Sequence, residues 1–247
     1  MLPMIVATLA QVLAGLLAPL LLAILIRRRW GISWALILPG AIAGLIMELL
    51  AAPLQSSVIF ALAAVPDAFT LPVFAGVSGF ASGLAAALLL TAAFAWLARN
   101  ARTTPQVLMI GVGYGGAGIA MRAALAALVL AANLQLAGTP PEDWRLSPAE
   151  TAARQAALDI YFATPPDQPL LEAVGALGRI LHGLAAAALV GGMFLSGQVG
   201  WFFGGLLWVA VAVSGAALFG PLGAAAGAVW WALLGAGGAV IVWRCRR

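Results

Sequence analysis

The chain has 247 residues, of which 64% are hydrophobic and only 8% charged, with a formal net charge of +4. A soluble domain carries charge on about a quarter of its residues, so there is too little polar material here to face water on every side. That excludes a soluble globular enzyme. The basic balance does not point to nucleic acid either, because all 12 cations are arginine, scattered singly or gathered at segment ends.

Residues 4–26 are apolar apart from Gln11 and run into Arg27-Arg28-Arg29. A cleaved signal peptide has its cations ahead of a shorter apolar core; here they follow it, which reads as a retained first span with the N-terminus outside. A helix needs about 20 apolar residues to cross the ~30 Å hydrocarbon layer. Residues 33–53, 71–97, 106–136, 170–194, 199–219 and 222–243 meet that requirement. Residues 58–65 are apolar but too short, and read as a re-entrant or interfacial segment. The expectation is an all-α, polytopic membrane bundle of about seven transmembrane helices in one domain, residues 1–247. Six or eight spans stay open, because Gly- and Ala-rich helices blur their own ends. A membrane barrel is excluded, since these are continuous apolar runs and not short alternating strands.

Arginine placement sets the expected orientation, because cytoplasmic loops retain cations. With the N-terminus outside, Arg27, Arg28, Arg29, Arg99, Arg102, Arg244, Arg246 and Arg247 fall inside, and the C-terminus is cytoplasmic. The outer loops then hold Asp67, Glu142, Asp143, Glu150, Asp159 and Asp167 against Arg145 and Arg154. The expected location is the plasma (cytoplasmic) membrane. The one cysteine, Cys245, cannot form an internal disulfide.

The polar segment 137–168 lies between the fourth and fifth spans. Within it, Ser147-Pro148-Ala149-Glu150 reads as a helix start, with serine capping, proline at the first helical position and glutamate closing a capping box. Pro165-Pro166 ends that helix. Ala153, Ala157, Ile160 and Tyr161 share one face, suited to resting on the outer membrane surface or over the bundle.

Ionisable side chains inside the bilayer are costly, which makes each a functional candidate. Four qualify: Glu48, Arg122, Arg179 and His182, the last two sharing a helix face. One reading is a polar cavity opening outward, with Glu48 as counter-ion to Arg122 or Arg179. The other is a structural ion pair tying spans together, with His182 bonded to a backbone carbonyl. A single histidine cannot build a zinc site, so no metal and no cofactor is expected. Ser78, Ser82 and Ser214 lie within spans, but only His182 could serve them as base.

The run Gly111-Val112-Gly113-Tyr114-Gly115-Gly116-Ala117-Gly118 lacks the strand before it and the Lys-Ser/Thr after it that a phosphate loop needs. In lipid, such spacing lets helix backbones touch, and Gly223/Gly227 and Gly235/Gly238 repeat it. Tyr114 is expected to donate its hydroxyl to a neighbouring helix.

In the order and spacing of these pieces the chain resembles the YhfC-type glutamic intramembrane proteases, relatives of the CAAX-processing membrane proteases. The resemblance takes in the arginine-rich end of span one with Ile32-Ser33-Trp34, the glycine run of span four, the Ser-Pro-Ala-Glu loop helix and the Arg179 segment. It implies a paired glutamate in span three, where this chain has Ala81 and Ser82 after Phe80. It implies histidine and glutamate in span four, where Tyr114 and Gly118 stand. It further implies glutamate before arginine in span five, here Gly178 before Arg179, and histidine with aspartate in span six, here Trp208 and Ala212. Tyr, Trp, Gly and Ala cannot take a proton from water near neutral pH, so the resemblance implies a catalytically inactive relative. Its expected role is binding a transmembrane helix of another membrane protein, or serving as an assembly subunit. A residual peptidase using Glu48 and His182 is one alternative, and a small-solute transporter or binder is another.

Overall fold

The computed structural model describes residues 1–63 and 71–245, and every regular element in them is helical. The helices are α1 (Leu2–Trp30), α2 (Ile37–Ala63), α3 (Leu71–Ala92), α4 (Thr104–Ala137), α5 (Pro148–Ala163), α6 (Asp167–Ser196), α7 (Val199–Phe219) and α8 (Ala224–Arg244). All but α5 are long and apolar enough to cross a membrane, seven in total among the described residues. Lipid offers the backbone no hydrogen-bond partners, so spanning segments must satisfy themselves as helices. The chain is a multi-pass integral membrane protein.

Several helices outrun their apolar cores. α1 continues through Arg27–Arg29 to Trp30 and closes on Gly31, whose φ of 67° favours glycine. The arginines lean on aromatic rings there, Arg27 over Trp34 at 5.4 Å and Arg29 over Trp30 at 5.2 Å. α2 corrects the expectation most. It does not stop near Pro53 but runs on to Ala63, so residues 58–63 prolong this helix and are not a separate re-entrant segment. The proline lacks an N–H to donate, yet its carbonyl accepts from Ser57 Oγ at 2.8 Å, and the helix carries on. Residues 64–65 and Asp67 lie outside the described residues.

Helix α6 is the hub, packing against α1, α4, α7 and α8, while α2 packs on α3 and α4, and α3 on α7. Two thirds (67%) of its apolar window is buried in protein, against 17–39% for the other spans. Alternating helix directions gather Arg27–Arg29, Arg99, Arg102 and Arg244 at one end of the bundle. There Ile26, Leu108 and Met109 form a core with Trp34, Val242 and Cys245.

Glycines set the closest helix contacts. A Cβ on Gly183 would lie 2.5 Å from Gly115 Cα, and one on Gly235 2.9 Å from Gly178 Cα, so α4 meets α6 and α6 meets α8 backbone to backbone. Gly238 likewise presses on Leu181. The pair Gly223/Gly227 is different and corrects the sequence reading. Gly223 turns the chain at φ 111°, and neither residue has another atom within 4 Å of where a Cβ would stand.

α5 starts as expected. Ser147 Oγ accepts from the Glu150 N–H at 3.3 Å while the Glu150 carboxylate accepts from the Ser147 N–H at 2.9 Å. The Ser147 hydroxyl, which donates to the Glu150 carboxylate at 2.6 Å, and then the Ser147 N–H hold that carboxyl below its ordinary range. Of the expected face, Tyr161 is half-buried while Ala153, Ala157 and Ile160 are exposed and so do not pack over the bundle; Leu158 is the buried residue of the helix.

Candidate polar cleft between the helices

A cleft of about 440 Å³ lies among α2, α4, α6, α7 and α8, at the end of the bundle away from the arginine cluster. Glu48 reaches it from α2, Tyr114 and Arg122 from α4, Arg179 and His182 from α6, and Trp231 from α8. The four ionisable residues singled out from sequence therefore share one site.

The pairing within it is specific. Arg122 Nε donates to Glu48 Oε1, which joins α4 to α2. The Arg122 side chain is still 52% exposed. Arg179 Nη2 donates to Glu172 Oε2 at 3.0 Å, two turns back along α6, and its guanidinium lies 5.6 Å over the Trp231 ring. Glu172 was missed in the sequence because it stands near the expected start of its span. Its signal was a carboxylate seven residues before an arginine, which puts the two on one helix face.

His182 is 6% exposed. Its ring lies between Trp208, stacked at 5.8 Å, and Trp231, edge-on at 5.6 Å. The expected bond from its ring to a backbone carbonyl is absent among the described residues. Nδ1 is buried with no partner among the described residues, and the carbonyl in use is the residue's own, accepting from Trp208 Nε1 at 3.4 Å. Tyr114 lines the cleft, and its expected hydroxyl bond to a neighbouring helix is absent among the described residues. The space in front of the glycine run is taken by other helices and by this cleft.

Of the positions where the resemblance implies catalytic residues, Tyr114 and Gly118 line the cleft. A Cβ on Gly118 would stand 3.0 Å from Glu48 Oε2, so the missing side chain leaves room for this carboxylate. The other positions face packing interfaces. Gly178 lies against Trp231, the Ala212 carbonyl accepts from Trp230 Nε1 at 3.0 Å, and Ser82 is fully buried beside the half-buried Ala81. Ser78 and Ser214 donate to backbone carbonyls of α3, at 3.1 and 2.9 Å.

A second cavity of about 230 Å³ opens among α1, α4 and α6, with Gln11 and Gly15 on its α1 side. Arg122, Arg179 and Glu172 line both cavities and stand between them. Among the described residues no group of three or more His, Cys, Asp or Glu side chains could hold a metal ion. No family model, curated protein or solved structure matches the chain.

Proposed function

We propose that this protein is a non-catalytic relative of the intramembrane proteases that binds a small, membrane-partitioned ligand in the cleft. The observation that carries this reading is convergence: Glu48, Tyr114, Arg122, Arg179 and His182 line one cavity. Residues kept only to tie helices together would be paired one by one across separate contacts. At about 440 Å³ the cavity falls in the usual size range for small-molecule sites. A whole transmembrane helix, about 10 Å across and 30 Å long, would need a far longer groove. That favours a ligand-sized occupant over a bound helix.

The same geometry argues against turnover. Glu48 is engaged by Arg122, and His182 Nδ1 lacks the carboxylate or carbonyl that orients a catalytic imidazole. The orientation that suits the reading has the N-terminus outside, the arginine-rich end cytoplasmic, and the cleft opening to the outer face of the plasma membrane. Thermal stabilisation of the purified full-length chain by a panel of amphiphiles and small solutes tests it. A ligand should raise the unfolding midpoint, with the shift lost in Trp231→Ala and kept in a variant remote from the cleft. A panel that leaves the midpoint unmoved refutes the reading.

One observation favours a second reading, a residual peptidase. Glu48 Oε2 sits against Gly118, where the resemblance implies a glutamate, so a carboxylate of α2 stands near a position at which the family would activate water. Peptide cleavage by the parent, abolished in Glu48→Gln and in His182→Phe at unchanged expression, would establish it. A parent that cuts nothing removes it.

A further inference from the structure

Resting on the reading of the cleft as a small-ligand site, we infer that its ligand carries an oxyanion, a phosphate or carboxylate on an apolar body, seated between Arg122 and Arg179. The first ground is donor supply. Each guanidinium has five N–H groups in a fixed fork. Arg122 commits its Nε to Glu48, and Arg179 commits Nη2 to Glu172. Arg179 Nε is buried with no partner among the described residues, a costly state for a donor of this strength. The glutamates hold the guanidinium groups in place without saturating them. Bidentate Arg pairing is the usual protein answer to phosphate and carboxylate.

The second ground is level in the membrane. Counted from Thr104 along α4, Arg122 stands ~27 Å from the arginine-rich end at about 1.5 Å per residue. Counted back from Ser196 along α6, Arg179 stands ~26 Å from the same end. A hydrocarbon layer of ~30 Å puts both at its opposite boundary, where lipid headgroups begin. α7 agrees: its 21 residues cover about that thickness, and the turn after it, at Gly220 and Pro221, borders the cleft.

The third ground is shape. Met47, Ala51, Ile119, Leu171 and Val213 give the cleft apolar walls. An oxyanion at headgroup level with an apolar chain along those walls fits both halves of the site. A free inorganic oxyanion would use the arginines alone.

The test uses the purified full-length protein in uncharged detergent with four probes: phosphatidic acid, oleate, inorganic phosphate and uncharged diacylglycerol. Phosphatidic acid or oleate should raise the unfolding midpoint by several degrees, and Arg122→Gln or Arg179→Gln should weaken the interaction about tenfold. Stabilisation by inorganic phosphate at comparable concentration assigns a free oxyanion; a requirement for the acyl chain assigns a lipid. The double variant Glu48→Gln/Arg122→Gln removes the ion pair without stranding a charge, so its loss of binding is separable from misfolding. Diacylglycerol acting as well as phosphatidic acid, with the arginine variants unchanged, overturns the oxyanion and leaves the small-ligand reading standing. If neither these probes nor a wider solute panel moves the midpoint, both fall.

Discussion

Replacing Gly183 by alanine tests the packing that brings Arg122 and Arg179 to one cleft. The added Cβ would lie 2.5 Å from Gly115 Cα, 2.7 Å from Gly115 N and 3.1 Å from Gly111 O. All three are backbone atoms, so no side chain can swing aside. Reaching ordinary contact requires α4 and α6 to separate by roughly 1 Å, and a gap of that size forfeits a quarter to a half of each dispersion contact it opens. Overpacking of this kind costs about 1–3 kcal/mol, and the better helix propensity of alanine returns about 0.5–1. The net expectation is destabilisation of about 1 kcal/mol. Gly115→Ala is milder, its nearest atoms being Arg179 O at 3.0 Å and Gly183 Cα at 3.1 Å. Gly200→Ala, with nothing within 4 Å, serves as the control. Unfolding of the three full-length variants in bicelles should rank Gly183 below Gly115 below Gly200. If Gly183→Ala matches Gly200→Ala within about 0.5 kcal/mol, the close approach of α4 and α6 is wrong. The relative placement of the two arginines then goes with it.

The Glu48–Arg122 pair should show a coupling of about 1–2 kcal/mol in a double-mutant cycle with glutamine at both sites. The value is modest because both side chains are partly open to the cleft; a coupling near zero would mean that the pair does not form. The Glu150 carboxyl is lowered by its bonds to Ser147, so its contribution to α5 is present above the ordinary carboxylate range and disappears as pH falls through the lowered value. Proteolysis within residues 147–163 should speed up on acidification, and Glu150→Gln should abolish that dependence; an identical pH response in the variant counts against the cap. For orientation, an impermeant maleimide applied to intact cells should spare Cys245. It should label a cysteine placed at the exposed Ala153 in a Cys245→Ser background. The reverse pattern inverts the topology.

The spans were legible because a continuous apolar run has few fates other than a transmembrane helix. Their ends were not. At Gln55-Ser56-Ser57 hydropathy falls while backbone hydrogen bonding continues, so α2 passes the point where an apolar count stops. Which polar residues meet was legible only in part. Glu48, Arg122, Arg179 and His182 stood out by cost alone, but spacing does not tell which helices are neighbours, and only packing assigns Glu48 to Arg122. The glycine pairs make the same point. Gly235/Gly238 and Gly223/Gly227 have similar spacing; one packs on α6 and the other forms a turn and an open wall, because spacing fixes a face but not what that face meets.

Gly118 and Glu48 are best understood as one feature. A glutamate at 118 would begin with a Cβ 3.0 Å from Glu48 Oε2, a contact tight enough that the Glu48 carboxylate would have to give way. Keeping Glu48 in its present place thus disfavours a glutamate at 118, and a glycine at 118 leaves Glu48 free to reach Arg122. The consequence reaches the cleft. With its carboxylate turned to an arginine, Glu48 positions a cation that has N–H groups to spare. The absent side chain at 118 and the anchored guanidinium of Arg122 are therefore coupled through Glu48: the first makes room for the carboxylate, and the carboxylate holds the second at the cleft.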